Sequence, residues 1–117
     1  MSRRTERIQE QLKEEVSRLL REDVTDPRIR LVTLTRVDVA PDLSNARIYW
    51  SALDADEERV ELIQDGLESA AAFVRRRLSR VLPLRKTPAL VFRHDPSLAL
   101  GNETLSLLRE LSHDEET

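Results

Sequence analysis

The chain has 117 residues, the size of one domain that buries roughly two thirds of the surface its unfolded form exposes. It contains no cysteine and two histidines, His94 and His113, which excludes a disulfide framework, a thiolate nucleophile, Cys-ligated zinc and a His-rich metal centre. The formal net charge is −3 and the longest uninterrupted apolar run is 70–74, so neither a globally basic protein nor a membrane span is indicated. The first residues lack an apolar signal segment, and a cytoplasmic protein is expected.

In chain order, residues 4–22 read as a helix. Ile8, Leu12, Val16, Leu19 and Leu20 form one apolar stripe, and Glu14 and Arg18 make a favourable i,i+4 pair on the opposite side. Asp26-Pro27 marks a turn. Residues 31–40 and 45–53 read as strands. Ala46, Ile48, Trp50 and Ala52 alternate with Arg47, Tyr49 and Ser51 in the second. In the first, Val32 and Leu34 share one parity while Val37 and Val39 share the other, which a bulge near Thr35-Arg36 reconciles. Turn residues 41–45 join them as an antiparallel hairpin.

Residues 58–82 carry a helical stripe from Val60 to Leu82, ended by Pro83. Periodicity alone makes this one long helix, in which Phe73 falls off the stripe. A straight helix leaves Phe73 exposed; a bend just before it turns it inward, and the periodicity leaves both open. Residues 87–94 read as a third strand whose start, at Pro88, belongs at an edge or first position. Residues 102–112 read as a short helix capped by Asn102, and 113–117 as an acidic frayed tail beyond a single domain of residues 1–112. The sum is an α+β layer of helices on a three-stranded sheet.

No catalytic constellation emerges, so no enzymatic activity, cofactor or metal is expected. With Gly66 and Gly101 as the only glycines, there is no phosphate loop or dinucleotide fingerprint. His94 beside Asp95 reads more simply as a strand end next to a turn than as a base with its orienter. The acids from Asp54 to Glu58 lack the alternating ligands and turn glycine of a calcium loop and read as a solvated helix start.

Charge segregation is the sharp signal. Residues 54–68 hold seven acids and one base, whereas residues 70–94 hold seven bases and no acid. Arg75, Arg76, Arg77, Arg80, Arg85 and Lys86 can face one polyanion with no acid interleaved. The plain alternative is a solvated face whose aliphatic stems cover the core edge. Arg3, Arg4 and Arg7 form a weaker candidate because Glu6 and Glu10 lie among them. The aromatics are Tyr49, Trp50, Phe73 and Phe92, too few for a sheet that stacks several bases, which leaves phosphate recognition along a helix edge in the manner of a KH-like fold.

Several strings carry a resemblance: residues 3–16, with Arg7-Ile8 opening a helix; Asp26-Pro27-Arg28-Ile29; the run from Val37 through Pro41-Asp42-Leu43 to Tyr49; and the run from Leu84 through Pro88 and Phe92 to Ser97. In their joint order and spacing they resemble the ribosome-binding factor A family, over roughly residues 3–111. The resemblance implies a type II KH-like domain, helix-strand-strand-helix-kink-helix-strand, that acts as a monomer. Its implied partner is the immature small ribosomal subunit and its rRNA. It implies a part in late maturation and rRNA 5′-end processing, most needed in the cold. It also places an Ala-x-Gly kink at Ala70-Ala71-Ala72, where Ala72 stands in the glycine position. The competing interpretation is a small protein-interaction module whose acidic helix start docks a basic partner.

Overall fold

A computed structural model describes residues 3–96. Helix α1 spans Arg3–Glu22, strand β1 Thr33–Val39, strand β2 Asn45–Ser51, helix α2 Glu57–Val81 and strand β3 Ala89–His94. A single 3-10 turn, Pro27–Ile29, follows α1, with the Asp26 carboxylate accepting from the Arg28 backbone N–H at its start. The helix and tail expected at 102–112 and 113–117 lie outside the described residues.

The sheet order is β1-β2-β3, with β1 antiparallel and β3 parallel to β2. The register of β1 against β2 shifts between Leu34 and Arg36. That bulge lets Leu34, Val37 and Val39 all enter the core although their parities differ. In the connecting turn, Leu43 takes φ 60° and the Asp42 carboxylate accepts from the Ser44 backbone N–H. Strand β3 is an edge strand, which is why Pro88, lacking a donor, is tolerated immediately before it.

Both helices cover one face of the sheet. Helix α1 buries Ile8, Leu12, Val16, Leu19 and Leu20, its whole predicted stripe, and each such side chain is worth about 1.5–3 kcal/mol of transfer free energy. Helix α2 buries Ile63, Leu67, Ala70, Val74 and Leu78. Trp50 is fully buried between the layers, and its Nε1–H donates to Gln64 Oε1 at 2.7 Å. The Gln64 amide then donates to the Phe92 carbonyl, so one α2 side chain ties the helix to β2 and β3. Gly66 permits the closest approach of α2 to the 3-10 turn: a Cβ there would sit 2.9 Å from Ile29 Cγ2 and 3.2 Å from Arg28 Cβ.

Ala70, Ala71 and Ala72 lie inside one continuous 25-residue helix, and what was expected as a further helix beyond a bend is its continuation. The physical reason is local. Alanine is the strongest helix former, and nothing within the triplet removes a backbone donor. Phe73 is half-buried against the core edge without a break in the helix, and the Arg77 guanidinium lies 5.1 Å from its ring centroid.

Candidate nucleic-acid interface

The last turns of α2 and the loop that follows them position the bases singled out from the sequence. Arg75, Arg76, Arg77, Arg80, Arg85 and Lys86 are all exposed. The helix period puts Ala72, Arg75, Arg76 and Ser79 on one side, and the loop brings Lys86 and Thr87 against it, so these residues line a shared shallow groove. Arg75 is held there: its guanidinium donates from Nη2 to the Thr87 carbonyl at 2.9 Å. Arg77 is turned about 100° round the helix from Arg76 and covers Phe73, so it sits on a different flank. The guanidiniums of Arg76, Arg80 and Arg85 take part in no hydrogen bond or ion pair among the described residues, which leaves their donors available to an incoming anion.

The structure adds a base that sequence spacing kept apart. Arg4, at the start of α1, shares a second cleft with Arg85 and Lys86, walled by Ile8 and by Pro41 and Leu43 of the hairpin turn. Lys86 therefore belongs to both concavities, and bases from α1, α2 and the 82–88 loop form one discontinuous strip. No local sequence signal links residues 4 and 86; their proximity follows from α1 and the hairpin turn meeting at one end of the sheet. Asp42, also in this cleft, is held below the usual carboxylate range, first by hydrogen bonding from Ser44 and only last by the charge of Lys86.

One other base of α1 behaves differently. Arg18 bridges Glu15 and Glu22 and is neutralised within its own helix. Away from this end, Asp56 caps α2 by accepting from the Arg59 backbone N–H, the role expected of a helix-start acid. His94 packs its ring against Trp50 at 4.7 Å between centroids, and Asp95 accepts from the Thr35 hydroxyl. Among the described residues, no group of three His, Cys, Asp or Glu is placed to hold a metal ion. No described helix is long and apolar enough to cross a membrane. What the basic strip can do chemically is bind phosphates: arginine offers paired N–H donors to phosphate oxygens, and each contact releases counterion.

Comparison with known proteins places this geometry in a family. The family model for ribosome-binding factor A matches residues 4–108. Ribosome-binding factor A of Pelobacter propionicus is 44% identical over 116 residues, covering 97% of this chain and 94% of that protein. The crystal structure of ribosome-binding factor A from Thermus thermophilus superposes with a TM-score of 0.68 at 26% identity, over 77% of this chain and 93% of that one. A homology model of the Thermus thermophilus factor, fitted into the cryo-EM map of a 30S–RbfA complex, superposes with a TM-score of 0.61 at 26% identity, over 75% and 91% of the two chains.

Proposed function

Since the chain belongs to the ribosome-binding factor A family, we propose that it binds the immature small ribosomal subunit through rRNA and assists its late maturation, including processing of the rRNA 5′ end. The observation that carries this proposal is the likeness to a factor fitted into a complex with the 30S particle. The two-layer fold and the exposed strip of Arg4, Arg76, Arg80, Arg85 and Lys86 support it, because phosphate recognition needs uncommitted cations and little else. A monomer in the cytoplasm, without cofactor and without catalysis, suffices for this work.

The mechanism is mass action. A domain that binds an immature rRNA conformation better than the mature one shifts that population by its differential affinity and by nothing more. Moving such an equilibrium from 1:99 to 99:1 takes about 5.5 kcal/mol of difference between the two states. Sedimentation of cell extract tests the proposal. The protein is expected with free small subunits and their precursors and scarce on translating ribosomes. Equal distribution across both pools, or presence on neither, would overturn it.

A further inference from the structure

The face of the sheet turned away from the helices carries bases that the helix-side strip does not include. The strand register sets Arg36 opposite Tyr49 and Asp38 opposite Arg47 across β1 and β2, and sets Tyr49 beside Arg93 and Arg47 beside Val91 across β2 and β3. The alternate residues Ala46, Ile48, Trp50 and Phe92 are buried under the helices, while Arg36, Arg47 and Arg93 are exposed. The Arg36 guanidinium lies 4.3 Å from the Tyr49 ring centroid and pairs with Asp38 at 3.2 Å. The guanidiniums of Arg47 and Arg93 enter no hydrogen bond or ion pair among the described residues.

Three strands thus contribute three arginines at register positions around Tyr49, against two carboxylates, Asp38 and Asp95, both of which act on Arg36; Asp95 also accepts from the Thr35 hydroxyl, and Arg47 and Arg93 supply the excess of positive charge. Adjacent strands lie about 4.8 Å apart and same-face residues along a strand about 6.7 Å apart, so these cations are spaced within an arginine's own reach of one another. The charge excess favours a polyanion, and paired N–H donors beside a half-buried ring suit a ribose-phosphate chain. The α2 bases of the helix-side strip belong to the layer that covers the opposite face of the sheet, so the centres of the two surfaces meet different stretches of RNA.

We infer that the open sheet face is a second RNA-backbone surface, centred on Arg47, Arg93 and Arg36 around Tyr49, and that the domain bridges two RNA segments. This rests on the RNA-binding function proposed above and extends it from a one-sided contact to a clamp. Holding two segments gives the domain a means to favour one relative placement of them, which a single contact surface lacks.

The test uses the full chain and a short RNA hairpin as probe, with the number bound counted by native mass spectrometry and affinities taken from salt titrations. Wild type is expected to bind two hairpins. Arg47→Gln with Arg93→Gln should bind one, Arg76→Ala with Arg80→Ala should bind one, and the four changes together none. Loss of the two sheet contacts should flatten the salt slope of one binding step by about 1.4–1.8 units. Ultraviolet crosslinking of RNA to Tyr49 in the wild type gives a reading independent of any variant, and circular dichroism checks that the variants fold. One hairpin on the wild type, with no effect of the sheet changes and no crosslink to Tyr49, would overturn the second surface and leave the first standing. No hairpin on the wild type would remove both. Two hairpins on the sheet variant, with its co-sedimentation with subunits lost, would assign the face to a protein and overturn the inference.

Discussion

The outward side of α2 changes character along its length. Its first half presents Glu57, Glu58, Glu61, Asp65 and Glu68; its second presents Arg75, Arg76 and Arg80. Acids near a helix N-terminus and bases near its C-terminus stabilise the dipole, but only within the first and last turns, so that effect covers Glu57, Glu58 and Arg80 and not the residues between. Glu61 and Arg76 lie about 22 Å apart along the helix, well beyond the screening length of about 8 Å at physiological salt, and act independently. The difference lies in their neighbours. The basic half meets Lys86 and Thr87, and through Lys86 reaches Arg4; the acidic half turns against the 3-10 turn at Gly66. A polyanion drawn to one end is repelled by the other, so under the function proposed above the charge gradient along the helix would orient the domain on RNA.

Breaking the helix between its halves has the strongest consequence. Ala72→Pro removes a backbone donor and clashes with the preceding turn inside a continuous helix, which costs about 3 kcal/mol or more and should lower the melting temperature by about 12 °C. Ala72→Gly, at an exposed interior position, should cost only about 1 kcal/mol. Thermal melts of both variants check this. A proline variant that melts like wild type would mean that the helix already bends there and that the two halves are separate elements.

The contrast in charge is sharpened by neutralising each half in turn. Arg76→Ala with Arg80→Ala should weaken rRNA-fragment binding more than tenfold at about 0.1 M salt and flatten the salt slope by about 1–2 units. Glu61→Gln with Asp65→Asn, on the acidic half, should leave the slope unchanged. Salt titrations on one small-subunit rRNA fragment decide the matter. Equal effects from the two pairs would show that total charge matters and not its placement.

Packing distinguishes the halves as well. Gly66→Ala adds a methyl 2.9 Å from Ile29 Cγ2, a buried branched side chain with little freedom to move. Overpacking of about 1–3 kcal/mol outweighs a helix-propensity gain of at most about 1 kcal/mol, and denaturant unfolding should register a net loss of about 1 kcal/mol. A stabilised variant would show that the acidic half is loosely seated.

Much of this was legible in the sequence wherever a periodicity carried it. The stripe of α1, the hairpin and the bulge near Thr35 each follow from which residues can share a face, and the structure has all three. The parallel pairing of β3 with β2 was not legible, because a crossover of more than thirty residues leaves no local mark on either strand. The grouping of Arg36, Arg47 and Arg93 around Tyr49 was hidden for the same reason: each reads as a solvent-side residue until strand order puts them together. The need for a small side chain at Gly66 was not legible either, since it arises from the distant Ile29. The six bases of the 75–86 segment were visible as a run, but their division into the groove beside Lys86 and the flank over Phe73 depends on the continuous helix.

The gentlest test concerns how free Lys86 is to serve the basic end. Asp42 shares its cleft and titrates below the ordinary carboxylate range, with Ser44 as the leading cause and Lys86 the least. A carboxylate depressed in this way contributes stability that is present above its unfolded-state pKa and lost as pH falls through its lowered folded-state value. If Ser44 dominates, Lys86→Ala should move the Asp42 titration followed by NMR upward only slightly, while Ser44→Ala should move it upward further. The same Lys86→Ala change should still flatten the salt slope of RNA binding by about 0.7–0.9 units, the loss of one phosphate contact. A large upward movement of Asp42 in Lys86→Ala, with no change in that slope, would show that the lysine is committed to its own hairpin turn. The basic strip would then be interrupted between Arg76 and Arg4, and the end of α2 would act alone.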